Sequence, residues 1–317
     1  MASTTFRIAV TSAALAVSGC AADIHPTVAP EVVASQMAEL WEQPADLPTR
    51  DLLNGPWGVE YAPNANDTYT FVRKKRQGAN PGMTVNDSQN REWHIKQGAE
   101  AQPEVVLSHV LSALGYHQPP VYYLPSFALA DETGSHPETG GRFRLHDSTL
   151  KDRGEWSWDQ NPFVGTAPYQ GLLVILVMFN SADLKNENNS LYQVKHQREG
   201  PENWFVVRDL GSSLGEVGRF NPKENRPEVF ERQAFISGVR DGFVSFAYHG
   251  VHSNLVQHRI RPADVRWASQ LLAQLTEGQW QDAFRGAGYP PPVASRFINR
   301  LHQKIDEGRR IGPETAR

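Results

Sequence analysis

The longest apolar stretch of the chain, Gly171–Phe179, is nine residues long. As a helix it would span about 14 Å, roughly half of a bilayer's hydrocarbon layer, so it reads as a buried helix and not a membrane crossing. A helix without a polar face has to be surrounded by other elements. The chain of 317 residues is long enough to do that as one large domain or two small ones. Lys+Arg number 31 against 35 Asp+Glu, a formal net charge of −4, which argues against a general nucleic-acid binder. A single cysteine, Cys20, excludes a disulfide scaffold and any multi-cysteine metal site.

That cysteine sits in an informative place. Arg7 precedes an apolar segment from Ile8 to Val17, and Val17-Ser18-Gly19-Cys20 follows. Small residues before a lone cysteine suit a signal peptidase, which needs a slim extended substrate. The segment resembles the lipobox of bacterial lipoproteins. The resemblance implies that residues 1–19 are a signal peptide and that Cys20 is the lipidation site after cleavage. It also implies anchoring to a membrane of the bacterial cell envelope through acyl chains, each buried CH₂ adding about 0.8 kcal/mol. Ala21 carries no negative charge, which by lipoprotein habits implies the periplasmic face of the outer membrane or the cell surface. Residues 20–50, rich in Ala, Pro and Glu, are expected to be a lipidated tether with one short helix near Val33–Trp41.

Beyond the tether, strands come first and helices last, which points to an α+β class. Arg91–Ile95 has strand character and leads into Lys96. A helix begins at Gln102-Pro103, with Val106, Val110 and Leu114 at helical spacing and Gly115 ending it. Pro119–Leu124 reads as a strand, residues 130–141 as a polar loop, and 191–207 as a hairpin with a charged connection. Three helices are expected at the carboxy end, over Ala263–Leu275, Glu277–Gly286 and Pro292–Gly308.

Three separated signals carry the chemistry. Lys96 ends a strand and is followed by a helix bearing Glu104, with Glu100 as a competing carboxylate. Asp183-Leu184-Lys185 is followed by Asn188. Asp209-Leu210-Gly211 follows a strand. In this order the motifs resemble the protein-kinase-like superfamily: D-L-K-x-x-N is similar to its catalytic loop, and D-L-G to its D-F-G metal-binding turn.

The resemblance implies a two-lobed fold, with a strand-rich N-lobe over residues 51–130 and a helical C-lobe over 131–317. It implies a phosphotransferase that moves a phosphoryl group from ATP or another nucleotide to a hydroxyl acceptor, with Mg²⁺ or Mn²⁺. In that scheme Lys96 neutralises phosphate and Glu104 fixes its rotamer, while Asp183 orients the attacking hydroxyl. Lys185 contacts the transferred phosphate, and Asn188 and Asp209 hold the metal. Gly78 and Gly82 flank a candidate phosphate loop, Gly78-Ala79-Asn80-Pro81-Gly82, although Pro81 removes one N–H donor.

The departures point to the atypical branches: HipA-type, phosphoinositide and secretory-pathway kinases. Ser181-Ala182 stands where the family has His-Arg, and no G-x-G-x-x-G is present. The competing reading is an inactive kinase-fold lipoprotein serving as an envelope binding module. Either way the expected partners are a nucleotide and the membrane, no nucleic acid, and the chain is expected to be a monomer.

Overall fold

The computed structural model describes residues 32–74, 82–195, 200–216, 224–250 and 252–312. Cys20 and Gly78 lie outside the described residues. After a one-turn helix α1 (Ala34–Met37), the first lobe is built from β1 (Thr68–Lys74), β2 (Gly82–Asn86), β3 (Glu92–Gln97), α2 (Ala101–Ala113), β4 (Val121–Asp131) and β5 (Gly134–Leu145). The five strands close into a barrel in the order β1-β2-β3-β5-β4, with β1 parallel to β4 and the other pairs antiparallel.

Strand alternation sorts the barrel into two faces. Val85, Trp93, Ile95, Phe143 and Leu145 turn inward and pack with Tyr69 and Phe127. The alternate positions form a polar outer face in cross-strand rows, Gly82–Lys96–Arg142 and Thr84–His94–Arg144. A single-residue slip would exchange these faces and bury the charges, so the hydrophobic pattern sets the register.

The second lobe holds a three-stranded sheet, β6 (Leu150–Asp152), β7 (Asn189–Val194) and β8 (Asn203–Val207). It also holds α3 (Ala167–Met178), α4 (Pro227–Phe230), the hairpin β9 (Ile236–Arg240) and β10 (Phe243–Phe246), and then α5 (Pro262–Leu272), α6 (Glu277–Gly286) and α7 (Pro291–Arg309). Helix α3 is the expected buried helix: every residue from Tyr169 to Met178 is buried. Each fully buried aliphatic side chain there contributes roughly 1.5–3 kcal/mol of transfer free energy. Gly171 allows the close crossing with α5, since a Cβ there would lie 2.2 Å from the Trp267 ring. Trp156, Trp158, Phe163 and Tyr169 are buried in the same core.

The α+β class and the order of a strand-rich and a helix-rich lobe match the expectation. Three local expectations do not. Residues 130–141 are not a loop: they form most of β5, paired with β4 from Asp131–Gly134 back to Val121–Arg144. Their Gly, Ser and Thr content suggests a loop because the outer half of β5 is solvent-exposed on both sides, and hydrogen bonds to β4 replace the missing side-chain packing. The lobe boundary placed after residue 130 therefore falls at a hairpin tip, and hydrogen bonding carries the strand-rich lobe through Leu145. The tether does not extend to residue 50 either. Leu40 and Leu47 are buried in the main core, and the Trp41 Nε1–H donates to the Leu114 carbonyl at 2.8 Å.

Candidate active site

Lys96 projects from the outer face of β3 into a cluster of carboxylates. Its Nζ lies 2.9 Å from Glu100, 3.0 Å from Glu104 and 2.5 Å from Asp209, the last a contact across 113 residues of chain. Both helix-side carboxylates considered from the sequence therefore reach the lysine. Glu104 is the more deeply buried and is shared with Arg142 Nε at 3.0 Å and with Arg144, both from β5. Arg144 also donates to the Arg208 carbonyl at 2.9 Å, which ties β5 to the segment carrying Asp209. Three cations, Lys96, Arg142 and Arg144, thus face three carboxylates, Glu100, Glu104 and Asp209.

This balance sets the protonation states. Burial opposes the charge on Glu104, but Arg142, Lys96 and Arg144 together outweigh it and hold the carboxyl well below its ordinary range. Burial likewise opposes the Lys96 ammonium, and Glu104 and Asp209 more than compensate, so its pKa rises. Arg142 is pushed down to about 10 by burial. Glu100 is raised by burial despite the adjacent Lys96.

The second predicted motif forms its own group. Asp183 pairs with Lys185 at 2.9 Å, and Asn188 Nδ2 donates to the Asp183 carbonyl at 2.7 Å, closing the loop on itself. Buried Leu184 and Leu210 anchor the two motif segments in the main core. The segments are joined through backbone. The Arg208 N–H donates to the Asn188 carbonyl at 2.8 Å, and the Ala182 N–H to the Ser212 carbonyl at 2.8 Å. The Tyr248 hydroxyl donates to the Ser181 carbonyl at 2.6 Å and steadies the start of the loop. Gly211 is needed here for a close approach to Glu100 and not for a positive φ.

Between the lobes lies a cavity of about 570 Å³. Lys96 and Asp209 line it together with Arg73, Lys74, His94, Arg142, Arg144 and Arg208, and Glu187 brings the 183–188 loop to its wall. Asp183 and Asn188, in the same loop, are not among the lining residues. Gly82 opens β2 directly opposite Lys96 in the ladder. Burial, reinforced by Arg144, holds the His94 pKa near 4, so the ring is neutral at pH 7.

Sequence reading missed Arg142, Arg144, Arg208 and His94. The signal for the first two was the alternation Arg142-x-Arg144 opposite His94 and Lys96, obscured once that stretch was read as a loop. Arg73 and Lys74, at the end of β1, also reach the cavity.

No protein-family model and no curated protein matches the chain. Among solved structures it is similar to the proinflammatory kinase CtkA of Helicobacter pylori, with 13% identity, coverage of 76% of this chain and 93% of that one, and a TM-score of 0.42. It is also similar to the Golgi casein kinase with Mn/ADP bound, at 9% identity, 77% and 72% coverage and a TM-score of 0.39. A third likeness is to HipA in the toxin–antitoxin complex of Shewanella oneidensis MR-1 with HipB and operator DNA, at 10% identity, 81% and 70% coverage and a TM-score of 0.38. All three TM-scores lie below 0.5.

Proposed function

We propose that the protein is a lipid-anchored, kinase-like phosphotransferase that moves a nucleotide phosphoryl group to a hydroxyl acceptor. The observation that carries this reading is the meeting of Lys96 and Asp209, 113 residues apart, at 2.5 Å on the wall of a cavity bordered by four arginines. Phosphoryl transfer needs positioning and charge neutralisation more than covalent help, and that wall offers both. Lys96, held in place by Glu104, binds and orients the phosphates. Asp209 with Asn188 would hold Mg²⁺ or Mn²⁺, and both are oxygen donors of the type these ions take. The ion would neutralise charge on the phosphates. Asp183 orients the acceptor hydroxyl and takes its proton. Lys185, paired with Asp183 in the structure, would contact the transferred group. Cys20 would carry the lipid, placing the enzyme on a membrane of the cell envelope.

The test is thermal unfolding of the full chain with nucleotide and Mn²⁺, followed by transfer of labelled phosphate to protein, sugar and lipid acceptors. Stabilisation of the wild type but not of Asp209→Ala supports the reading. If neither protein responds to nucleotide and metal, the site does not bind them and the reading fails. Ser181-Ala182 in place of His-Arg favours a second reading, a binding module without turnover. Nucleotide-dependent stabilisation with no transfer to any acceptor, or no response at all, would select it.

A further inference from the structure

Glu92, His94 and His146 bring one ligand atom each to within 4.8 Å of one another. Glu92 and His94 are alternate residues of β3 and share its outer face. His146 directly follows β5, and its N–H donates to the Glu92 carbonyl at 2.9 Å. Glu92 Oε1 stands 3.6 Å from His94 Nε2. Two ligands on a tetrahedral Zn²⁺, each at about 2.1 Å, are separated by roughly 3.4 Å, so this pair is already near ligand spacing. On the other side of the ring, His94 Nδ1 engages Thr84 Oγ1 at 3.2 Å. A partner on the second nitrogen fixes ring orientation and leaves Nε2 for coordination, as in histidine metal sites generally.

We propose that Glu92, His94 and His146 form a site for a transition-metal ion of the Zn²⁺ class, separate from Asp209 and Asn188. Two imidazoles and one carboxylate suit zinc, cobalt or nickel better than magnesium or calcium, which take mostly oxygen. The site staples β3 to the start of the connection between lobes, because residues 146–149 carry the chain from β5 to β6. It also adjoins the interlobe cavity, which His94 lines. Binding requires release of the Arg73–Glu92 pair at 3.3 Å, whose arginine is 58% exposed. Exposed pairs of that kind contribute only about 0–1 kcal/mol. Arg142 and Arg144 stand nearby and share the Glu104 carboxylate; their charge acts against a cation at His94, and the Glu92 carboxylate acts in the opposite sense. The His249 and His252 pair, the more obvious histidine motif in the sequence, forms no such cluster among the described residues.

The experiment titrates Co²⁺, as a visible probe, into the full untagged chain and then displaces it with Zn²⁺. The expected result is one equivalent of Co²⁺ with d–d absorption, displaced by Zn²⁺. His146→Gln, an exposed position where folding is not at stake, should weaken binding by at least about tenfold. Binding should survive Asp209→Ala. Absence of d–d bands in the wild type overturns the proposal, as does Co²⁺ binding that His146→Gln leaves unchanged. Loss of binding in Asp209→Ala, with circular dichroism showing a folded protein, would assign the ion to the phosphotransfer site and overturn it equally.

Discussion

A Cβ placed on Gly211 would stand 2.5 Å from the Cβ of Glu100 and 2.7 Å from its carbonyl oxygen. The motif that carries Asp209 therefore packs against the residue that begins the approach to α2, and the two carboxylates reach Lys96 from that junction. No side chain fits between them without moving backbone.

Gly211→Ala is accordingly expected to destabilise the fold by about 1–3 kcal/mol, the usual cost of overpacking a filled site. Urea unfolding would show a lower midpoint. Because the displaced neighbours include the Asp209 segment, nucleotide-dependent stabilisation should fall as well. Gly278→Ala, within α6 where a Cβ meets nothing closer than 3.9 Å, is the control and should not lower the midpoint, raising stability by up to about 1 kcal/mol.

Glu104→Gln should cost about 3–5 kcal/mol, because it leaves three buried or half-buried cations facing only Glu100 and Asp209. The same residue governs part of the acid limb. Its folded carboxyl titrates far below the ordinary value of 4.5, so the unfolded chain takes the proton first. The stabilisation is complete above pH 4.5 and drains away as the pH falls below it. Urea midpoints measured from pH 6 to pH 2.5 should show that slope in the wild type and a shallower one in Glu104→Gln.

His117 gives a second pH signature. Its ring stacks on Trp204 at 4.6 Å, and its Nε2–H donates to the Ala38 carbonyl at 2.6 Å. Burial, against the pull of that carbonyl, lowers its pKa to about 4. The unfolded side chain takes a proton near pH 6.5 and the folded one resists it, so stability is full above 6.5 and is lost as the pH drops towards 4. The loss attributable to this residue is on the order of 3 kcal/mol. His117→Gln keeps a donor for Ala38, removes the titration, and should flatten that part of the stability profile.

Asp183 and Asp209 should separate in function. Asp183→Ala is expected to lower phosphoryl transfer by about 10²–10⁴-fold while nucleotide and Mn²⁺ still raise the unfolding temperature. Asp209→Ala should abolish both. Equal loss of stabilisation in the two variants would contradict the division of roles.

Much of this arrangement could be read along the chain. The buried α3 announced itself as an apolar run without a polar face, and α5, α6 and α7 were legible as helices close to their observed bounds. The β7–β8 hairpin and the strand carrying Lys96 were legible for the same reason, since alternation and spacing are local properties. What failed was also local in appearance. The first half of β5 has loop composition, and only its partner β4 makes it a strand. Residues 40–47 have tether composition, yet Leu40 and Leu47 find a core to enter.

The amino-acid order by itself determined which groups this protein can use: a strand-borne lysine, a D-L-K-x-x-N loop, a D-L-G turn, and a helix with a carboxylate in its first turn. Which of them meet was decided by the tertiary structure. Barrel closure sets Arg142 and Arg144 beside Lys96, and the backbone bonds of Asn188 and Ala182 draw the two motif segments together. Glu104 is ionised because of Lys96 on β3 and of Arg142 and Arg144, 38 and 40 residues away, not because of anything adjacent to it in the chain. Propensity and periodicity act over a few residues, whereas the electrostatics of a buried cluster depend on distances through space that only folding creates.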